Sequence, residues 1–141
     1  MDWITDRIAI GTFVEARDTS LRASEGVRSI LCLDRECAPG EIEPGAQVRV
    51  ETCHLDDGPG NDVRRLRLAV ELLEQLSIES PRVLVHCRAG RSRSVIVVAA
   101  YLVRTKGADP EGALDEVSRR RAACVTGALV DLLDEFAASN R

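Results

Sequence analysis

The stretch VLVHCRAGRSRS, residues 83–94, decides the fold of this chain. Its first four residues favour a buried strand, and an apolar run from Val95 to Val103 follows its last residue. The pattern predicts a strand, a tight loop and the first turn of a buried helix. A turn of this kind gathers backbone N–H groups around one point, and the dipole of the helix adds positive potential there.

Two side chains of this stretch predict its chemistry. Cys87 stands at the start of the loop, where backbone N–H groups and a helix terminus stabilise a thiolate. Arg93, six residues later, can fold back over the same point and hold a dianion through two parallel hydrogen bonds. A thiolate inside a phosphate-binding loop indicates nucleophilic attack on phosphorus, with the phosphoryl group carried on sulfur.

The rest of the chain divides into short strands and amphipathic helices. Further strands are predicted at residues 7–11, 27–33 and 48–55. Helical patterns occupy residues 12–25 (one or two pieces), 63–76, 92–104, 110–121 and 127–138. Because strands come early and helices dominate late, we expect an α/β (α+β) domain in which helices flank a small mixed or parallel sheet of four to five strands.

Composition limits the class of protein. A chain of 141 residues with 45% hydrophobic and 30% charged residues is typical of one folded globular domain, which we take to be residues 1–141. The net charge of −4 gives no global support for a protein that coats nucleic acid. We therefore expect no nucleic acid as a stable partner, and the sequence makes no prediction of the oligomeric state.

Two features predict a cytoplasmic protein. The first residues, MDWITDR, carry charges where a signal peptide needs an apolar core, and no apolar run approaches the roughly 18 residues that span a bilayer. The five cysteines are an odd number, which favours a reducing compartment. We therefore expect no membrane insertion.

The loop from His86 to Ser94 resembles the signature of the cysteine-dependent protein tyrosine phosphatases, which is His-Cys, five residues, Arg, then Ser or Thr. Its details are most similar to the dual-specificity branch, and the likeness covers nearly the whole chain. It departs at Val125-Thr126, where the branch often has Pro-Asn. The resemblance implies a phosphatase that acts on phosphotyrosine and on phosphoserine or phosphothreonine, with no metal and no cofactor.

The resemblance also implies a role for each signature residue. Cys87 is the nucleophile, and Arg93 binds two phosphoryl oxygens and stabilises the transition state. Ser94 hydrogen-bonds the sulfur and helps it leave, unless it is only the N-cap of the helix. His86 orients the loop from beneath rather than shuttling protons. The phosphate-binding set is Cys87, Arg88, Ala89, Gly90, Arg91, Ser92 and Arg93.

A general acid must reach the leaving oxygen from a separate loop. The segment DDGPGND, residues 56–62, precedes Cys87 by about the interval at which the branch keeps its acid. We expect Asp57 to be this acid, because the register of the branch favours the second Asp and the Gly-Pro-Gly that follows leaves the loop room to close. Asp56 is the alternative, and Asp62 is expected to cap the next helix.

Arg88 and Arg91 bear on the substrate. Basic residues at these positions are similar to the inositol-lipid branch of the superfamily, which has Lys at both. They favour polyanionic substrates, or they are solvated side chains of an Arg-rich protein. Arg119, Arg120 and Arg121 place positive charge at a helix end, where Arg120 could also bind a second phosphate. The resemblance implies a phosphorylated protein as the substrate, and the alternatives are a phosphoinositide, a nucleotide or RNA end, or a sugar phosphate. A non-catalytic phosphate-binding module is the alternative class of function.

Overall fold

The computed structural model describes residues 1–35 and 48–140, and its centre is a sheet of five strands. The strands are β1 (Asp2–Trp3), β2 (Ile8–Gly11), β3 (Ser29–Cys32), β4 (Arg49–Thr52) and β5 (Val83–His86). Their spatial order is β1-β2-β5-β3-β4, and only the β1–β2 pair is antiparallel. This mixed sheet confirms the predicted fold class, with the strand number at the upper end of the expected range.

The strand predictions differ from the structure mainly at the edges of the sheet. The two residues of β1 are too few to show a pattern in the sequence, and the sequence analysis missed this strand. The alternating run predicted at residues 48–55 pairs only from Arg49 to Thr52, and β4 is a partly exposed edge strand. Residues 34–45 contain two Pro and two Gly, a composition that predicts a loop, and they lie mostly outside the described residues.

Six helices lie within the described residues, and an aspartate caps the start of three of them. They are α1 (Phe13–Arg17), α2 (Thr19–Glu25), α3 (Val63–Glu79), α4 (Arg93–Lys106), α5 (Pro110–Ser118) and α6 (Gly127–Ser139). The side chains of Asp18, Asp62 and Asp109 each accept a hydrogen bond from the first turn of α2, α3 and α5, respectively. None of the helices in this part of the chain combines the length and apolar character that a bilayer span requires.

Helices cover both faces of the sheet because alternate strand residues point in opposite directions. Val83 and Val85 belong to the larger hydrophobic cluster, which includes the buried apolar residues of α3, α4, α5 and α6. Leu84 belongs to a smaller cluster with Ala16 of α1 and Val27, which follows α2. The expected all-round burial of the helix after the loop is confirmed, since every residue of α4 from Arg93 to Ala100 is buried.

The strand register brings the candidate residues to one edge of the sheet. Gly11, Cys32 and His86, the last residues of β2, β3 and β5, are aligned with one another. Thr52, the last residue of β4, is aligned with Cys32. The segments that follow these four parallel strands therefore begin side by side, as is typical of ligand sites in open α/β sheets.

Candidate active site

The loop between β5 and α4, residues 87–92 and hereafter the Cys87 loop, turns its carbonyl groups outward. Each carbonyl from residue 87 to residue 91 accepts a hydrogen bond from a donor outside the loop. In chain order the donors are His86 Nδ1 (2.9 Å), Phe13 N (3.1 Å), Arg121 Nη2 (3.0 Å), Arg121 Nε (2.9 Å) and Cys124 N (2.9 Å). Because the C=O and the next N–H of a planar trans peptide point in opposite directions, the N–H groups of residues 88–92 face the inside of the loop.

Gly90 is required by this geometry. Its φ of +67° lies in the left-handed region, and a Cβ built there would lie 2.5 Å from the carbonyl oxygen of Gly11. Any other residue would combine backbone strain with a clash against β2. Glycine thus lets the loop pass close to the neighbouring strand.

Cys87 lies at the base of the loop, where it is 2% exposed. Its Sγ lies 2.9 Å from Ser94 Oγ. Burial raises the pKa of the Cys87 thiol, but hydrogen bonds from the Ser94 hydroxyl and from the N–H groups of Ser94 and Gly90, with the charge of Arg93, bring the pKa below its usual value. The site thus favours a thiolate, the form of cysteine that attacks electrophiles.

His86 lies beneath the loop and is fully buried. Its Nδ1 is 2.9 Å from the carbonyl oxygen of Cys87, and because a carbonyl only accepts, Nδ1 must carry the hydrogen. Burial lowers the pKa of His86, which keeps the ring neutral. A neutral donor at this position suits a residue that fixes the loop.

Arg93 reaches across the site from the first position of α4. Its Nη1 donates to the carbonyl of Leu55 at 3.4 Å and lies 3.5 Å from Asp34 Oδ1. Its Nε is buried and has no acceptor among residues 1–35 and 48–140. Since Nε and Nη2 form the opposite edge of the guanidinium from Nη1, the protein holds one edge and leaves the other for a ligand.

Ser92 and Ser94 have different positions at the start of α4. Ser92, not Ser94, is the N-cap of α4, and it makes no side-chain capping bond. Its Oγ is buried with no hydrogen-bond partner among the described residues. Ser94 lies inside the first turn with its hydroxyl on Cys87, so the N-cap alternative for Ser94 is wrong.

The segment from Asp56 to Asp62, hereafter the Asp57 loop, presents its two adjacent carboxyl groups differently. Asp56 Oδ1 lies 3.0 Å from His54 Nε2 and 3.4 Å from Arg35 Nη2. The hydrogen bond to His54 is the main cause that lowers the pKa of Asp56, with a further contribution from Arg35. Asp57 is exposed and has no hydrogen bond or ion pair within the described part of the chain.

Asn61 gives the Asp57 loop its shape. Its side chain donates to the carbonyls of Asp56 at 2.7 Å and Gly58 at 3.2 Å, and accepts from the N–H of Asp56 at 2.8 Å. Asp62 accepts from Arg64 N at 2.8 Å, which confirms its expected role as the cap of α3. Among the aspartates of this loop, Asp57 is therefore the one whose carboxyl group has no partner within residues 1–35 and 48–140.

The structure separates Arg88 from Arg91. Arg88 Nη2 lies 3.1 Å from Asp34 Oδ2, and its guanidinium lies over the ring of Phe13, 5.0 Å from the centroid. Arg91 is exposed and forms no ion pair with the residues that the structure describes. The sequence treats the two arginines alike, whereas among the described residues only Arg88 has a carboxylate partner.

Sequence reasoning missed Arg121, whose side chain binds the loop. It was expected to act on the dipole of its own helix, but α5 ends at Ser118. Besides the carbonyls of Ala89 and Gly90, it binds Asp2 Oδ2 at 3.1 Å and the carbonyl of Ile10 at 3.4 Å. Three successive arginines at the end of a helix were the only signal in the sequence, and they did not show which of them turns inward. Arg120, the arginine that the sequence analysis considered for a second phosphate, is exposed.

Asp34 is the second residue that sequence reasoning missed. It follows β3 and its side chain is only 9% exposed. Its carboxylate contacts both Arg88 and Arg93. A single Asp at the start of a predicted loop carried no signal of this contact.

Comparison with known proteins identifies the family. Residues 29–137 match the family model described as dual specificity phosphatase, catalytic domain. This match covers well over half of the chain, so the chain belongs to the dual specificity phosphatase family. The resemblance inferred from the signature is confirmed.

The curated relatives include proteins of different size. Phosphatidylglycerophosphatase and protein-tyrosine phosphatase 1 of Rattus norvegicus is 40% identical over 91 residues, which are 64% of this chain and 46% of that protein. Dual specificity protein phosphatase 22-B of Danio rerio is 30% identical over 134 residues, which are 90% of this chain and 68% of that protein. The chain spans less than half the length of the first of these relatives.

Solved structures share the whole fold. Human tyrosine phosphatase-like serine/threonine/tyrosine-interacting protein superposes with a TM-score of 0.85 at 26% identity, over 99% of this chain and 96% of that chain. The crystal structure of PTPMT1 in complex with PI(5)P gives a TM-score of 0.79 at 24% identity, over 97% of this chain and 94% of that chain. The second likeness concerns the fold alone.

Proposed function

We propose that this chain is a phosphatase that hydrolyses phosphotyrosine and phosphoserine or phosphothreonine monoesters through a cysteinyl-phosphate. One observation carries the proposal. The carbonyl groups of the Cys87 loop accept hydrogen bonds from outside the loop, and the loop surrounds the Cys87 sulfur, whose thiol pKa is lowered. Inward N–H groups suit the oxygens of a phosphoryl dianion, and the thiolate lies at the centre of the same loop. Membership of the dual specificity phosphatase family supports this reading.

In the first step the Cys87 thiolate attacks phosphorus and forms the S–P bond while the ester P–O bond breaks. The inward N–H groups and the free edge of Arg93 stabilise the charge on the equatorial oxygens. Asp57, protonated, gives its proton to the leaving alcohol or phenol oxygen. Its exposed position and unengaged carboxyl favour it over Asp56, whose pKa is lowered by His54 and which therefore keeps its proton less readily.

In the second step water attacks the cysteinyl-phosphate. Asp57, now a carboxylate, takes the proton of this water, and the S–P bond breaks to release inorganic phosphate and the Cys87 thiolate. The Ser94 hydroxyl, 2.9 Å from the sulfur, donates a hydrogen bond that stabilises the leaving thiolate. His86 fixes the carbonyl of Cys87 throughout. No step of this scheme calls for a metal or a cofactor, because fixed protein groups carry the charge.

A phosphatase of the same mechanism that acts on a phosphoinositide or another lipid phosphate is the second candidate. Exposed Arg91 at the rim of the loop favours it, and one relative is named a phosphatidylglycerophosphatase. The ion pair of Arg88 with Asp34 weighs against it, because it removes one of the two cations that would attract a polyanion. A phosphorylated protein is therefore the substrate class that we place first. The compartment that we propose is the cytoplasm, where reducing conditions keep a nucleophilic thiolate from forming disulfides.

A direct experiment follows the phosphoryl group. Wild-type protein and Cys87→Ser protein are assayed with an aryl phosphate, with and without a chelator, and then with phosphotyrosine, phosphoserine and phosphothreonine peptides beside inositol phosphates and nucleotides. We expect turnover that needs Cys87 and ignores the chelator, and an acid-quenched wild-type sample whose intact mass is larger by one phosphoryl group. Turnover by Cys87→Ser protein, or none by the wild type, would contradict the proposal. Faster turnover of inositol phosphates than of peptides would favour the second candidate.

A further inference from the structure

Asp34 is a nearly buried carboxylate to which the phosphatase scheme gives no task. Its Oδ1 lies 3.5 Å from Arg93 Nη1 and its Oδ2 lies 3.1 Å from Arg88 Nη2. Its side chain is only 9% exposed, so the two pairs are shielded from solvent on the side of Asp34. One carboxylate therefore joins the arginine that faces the phosphoryl group to a second arginine of the Cys87 loop.

The contact with Arg93 fixes which edge of the guanidinium is available. Asp34 and the carbonyl of Leu55 both bind Nη1. On the opposite edge, Nε has no hydrogen-bond acceptor among the described residues. A guanidinium held by one edge presents the other in a defined plane, which is the condition for two parallel bonds to one phosphoryl group.

The ion pair between Asp34 and Arg88 reduces the positive charge of the Cys87 loop. Arg88 is held between the Asp34 carboxylate and the face of Phe13, although its side chain is 47% exposed. A second phosphate that approached Arg88 would have to displace Asp34 or lie beside its negative charge. Such a repulsive element discriminates between substrates as effectively as an attractive one.

We propose that Asp34 is a positioning and specificity-determining residue: it orients Arg93 for one phosphoryl group and neutralises Arg88 so that substrates with a neighbouring phosphate are disfavoured. The proposal rests on the proposed function for its turnover consequences, but its binding consequences are independent of turnover. It assigns the two loop arginines different tasks, since Arg91 has no such partner in the described part of the chain.

The binding test uses an inositol monophosphate and an inositol bisphosphate with adjacent phosphates, measured by calorimetry on Cys87→Ser protein. Asp34→Asn keeps the shape of the side chain and removes its charge. We expect it to shift the preference for the bisphosphate by about tenfold, the size of one charge-assisted hydrogen bond. Adding Arg88→Gln to Asp34→Asn should cancel this gain in bisphosphate preference. The matched control is Arg91→Gln, which should change the bisphosphate preference by one and the same factor whether residue 34 is Asp or Asn.

The turnover test separates positioning from general damage to the fold. With an aryl phosphate, Asp34→Asn should lower kcat by about tenfold with little change in KM, because a misaligned guanidinium weakens transition-state binding more than ground-state binding. Asp34→Glu should recover part of the loss, and thermal unfolding checks that each variant is folded.

Three results would decide against the proposal or against its basis. An unchanged bisphosphate preference in Asp34→Asn protein, or a gain that Arg91→Gln abolishes as fully as Arg88→Gln does, would overturn the role of Asp34. Protein that binds the monophosphate but never turns over an aryl phosphate would overturn only the proposed function. Protein that turns over an aryl phosphate but binds neither inositol phosphate would overturn the role of Asp34 in substrate discrimination and leave the proposed function standing.

Discussion

The Cys87 loop and the Asp57 loop lie on the same edge of the sheet but are held in different ways. Donors from four residues outside the Cys87 loop bind its carbonyls, and Gly90 packs against β2. Within the described residues, the carboxyl group of Asp57 has no partner, and the loop around it is shaped mainly by Asn61. Groups that stabilise a transition-state charge act best when fixed beforehand, whereas a general acid on an exposed loop can approach after the substrate binds.

The largest effect should come from the general acid. Asp57→Asn should lower kcat for an alkyl phosphate, whose leaving group is poor, by roughly 10² to 10⁴-fold. The basic limb of the pH–rate profile should flatten, because no protonated acid remains to be lost. The acid limb should stay in place and lie below the usual thiol range, because it reports the Cys87 thiol, whose pKa is lowered in the folded protein.

Asp56→Asn is the matched control for this prediction. It removes a carboxylate of the same loop that is already engaged by His54. We expect kcat to fall by less than about a tenth of the factor caused by Asp57→Asn, and we expect the basic limb of the pH–rate profile to be retained. A flattened basic limb in Asp56→Asn protein and not in Asp57→Asn protein would reverse the assignment.

The next prediction concerns the Cys87 loop, whose groups are fixed before the substrate binds. Arg93→Lys keeps the charge but loses the planar fork, so kcat should fall by roughly 10² to 10³-fold while the protein stays folded. Arg91→Lys, at an exposed position of the same loop, serves as the control and should cost far less. The two are compared by steady-state kinetics with one aryl phosphate, and turnover near that of the wild type in Arg93→Lys protein would remove Arg93 from the mechanism.

Two glycines with the same backbone angle measure how tightly the Cys87 loop is packed. Gly90 and Gly107 both have φ of +67°, but a Cβ at Gly107 would meet nothing within 4 Å. Gly107→Ala should therefore cost about 1 kcal/mol of unfolding free energy for the backbone strain alone. Gly90→Ala should cost roughly 1 to 3 kcal/mol more, because it also forces β2 and the loop apart. Equal losses in urea denaturation would show that the loop can move away from β2.

The smallest effect is expected within the Asp57 loop. Asn61→Ala removes three hydrogen bonds to the loop backbone but touches no reacting group in the proposed scheme. We expect a loss of about 1 kcal/mol of stability and a fall in kcat of less than about tenfold, with both limbs of the pH profile retained. A change as large as that of Asp57→Asn would mean that this loop, too, must be fixed before the substrate binds.

The parts that sequence reasoning predicted well are those with local causes. The strand, loop and helix around Cys87 follow from an apolar run, small residues and a second apolar run that are contiguous in the chain. Asp62 was recognised as a cap because a cap and its helix are neighbours in the chain. Asp57 was separated from Asp56 by family register and by the Gly-Pro-Gly that follows it, and its catalytic role stays a prediction.

The parts that sequence reasoning missed depend on contacts between distant residues. Asp34 and Arg93 are 59 positions apart, and Arg121 reaches back 32 positions to Ala89 and 119 to Asp2. No periodicity links such residues, because only the order of strands in the sheet brings them together. The same reason hides the difference between Arg88 and Arg91, which look alike until the carboxylate of Asp34, which follows β3, is placed beside Arg88.

The long reach of Arg121 has a consequence for protein synthesis. A ribosome that has completed residue 106 has made Cys87 and all of α4, but neither Arg121 nor Cys124, which bind three of the loop carbonyls. Domains complete their long-range contacts only after the later segments have emerged. The nascent cysteine should therefore behave as an ordinary thiol until the last fifth of the chain has folded back, and its reactivity would report the moment at which the domain is complete.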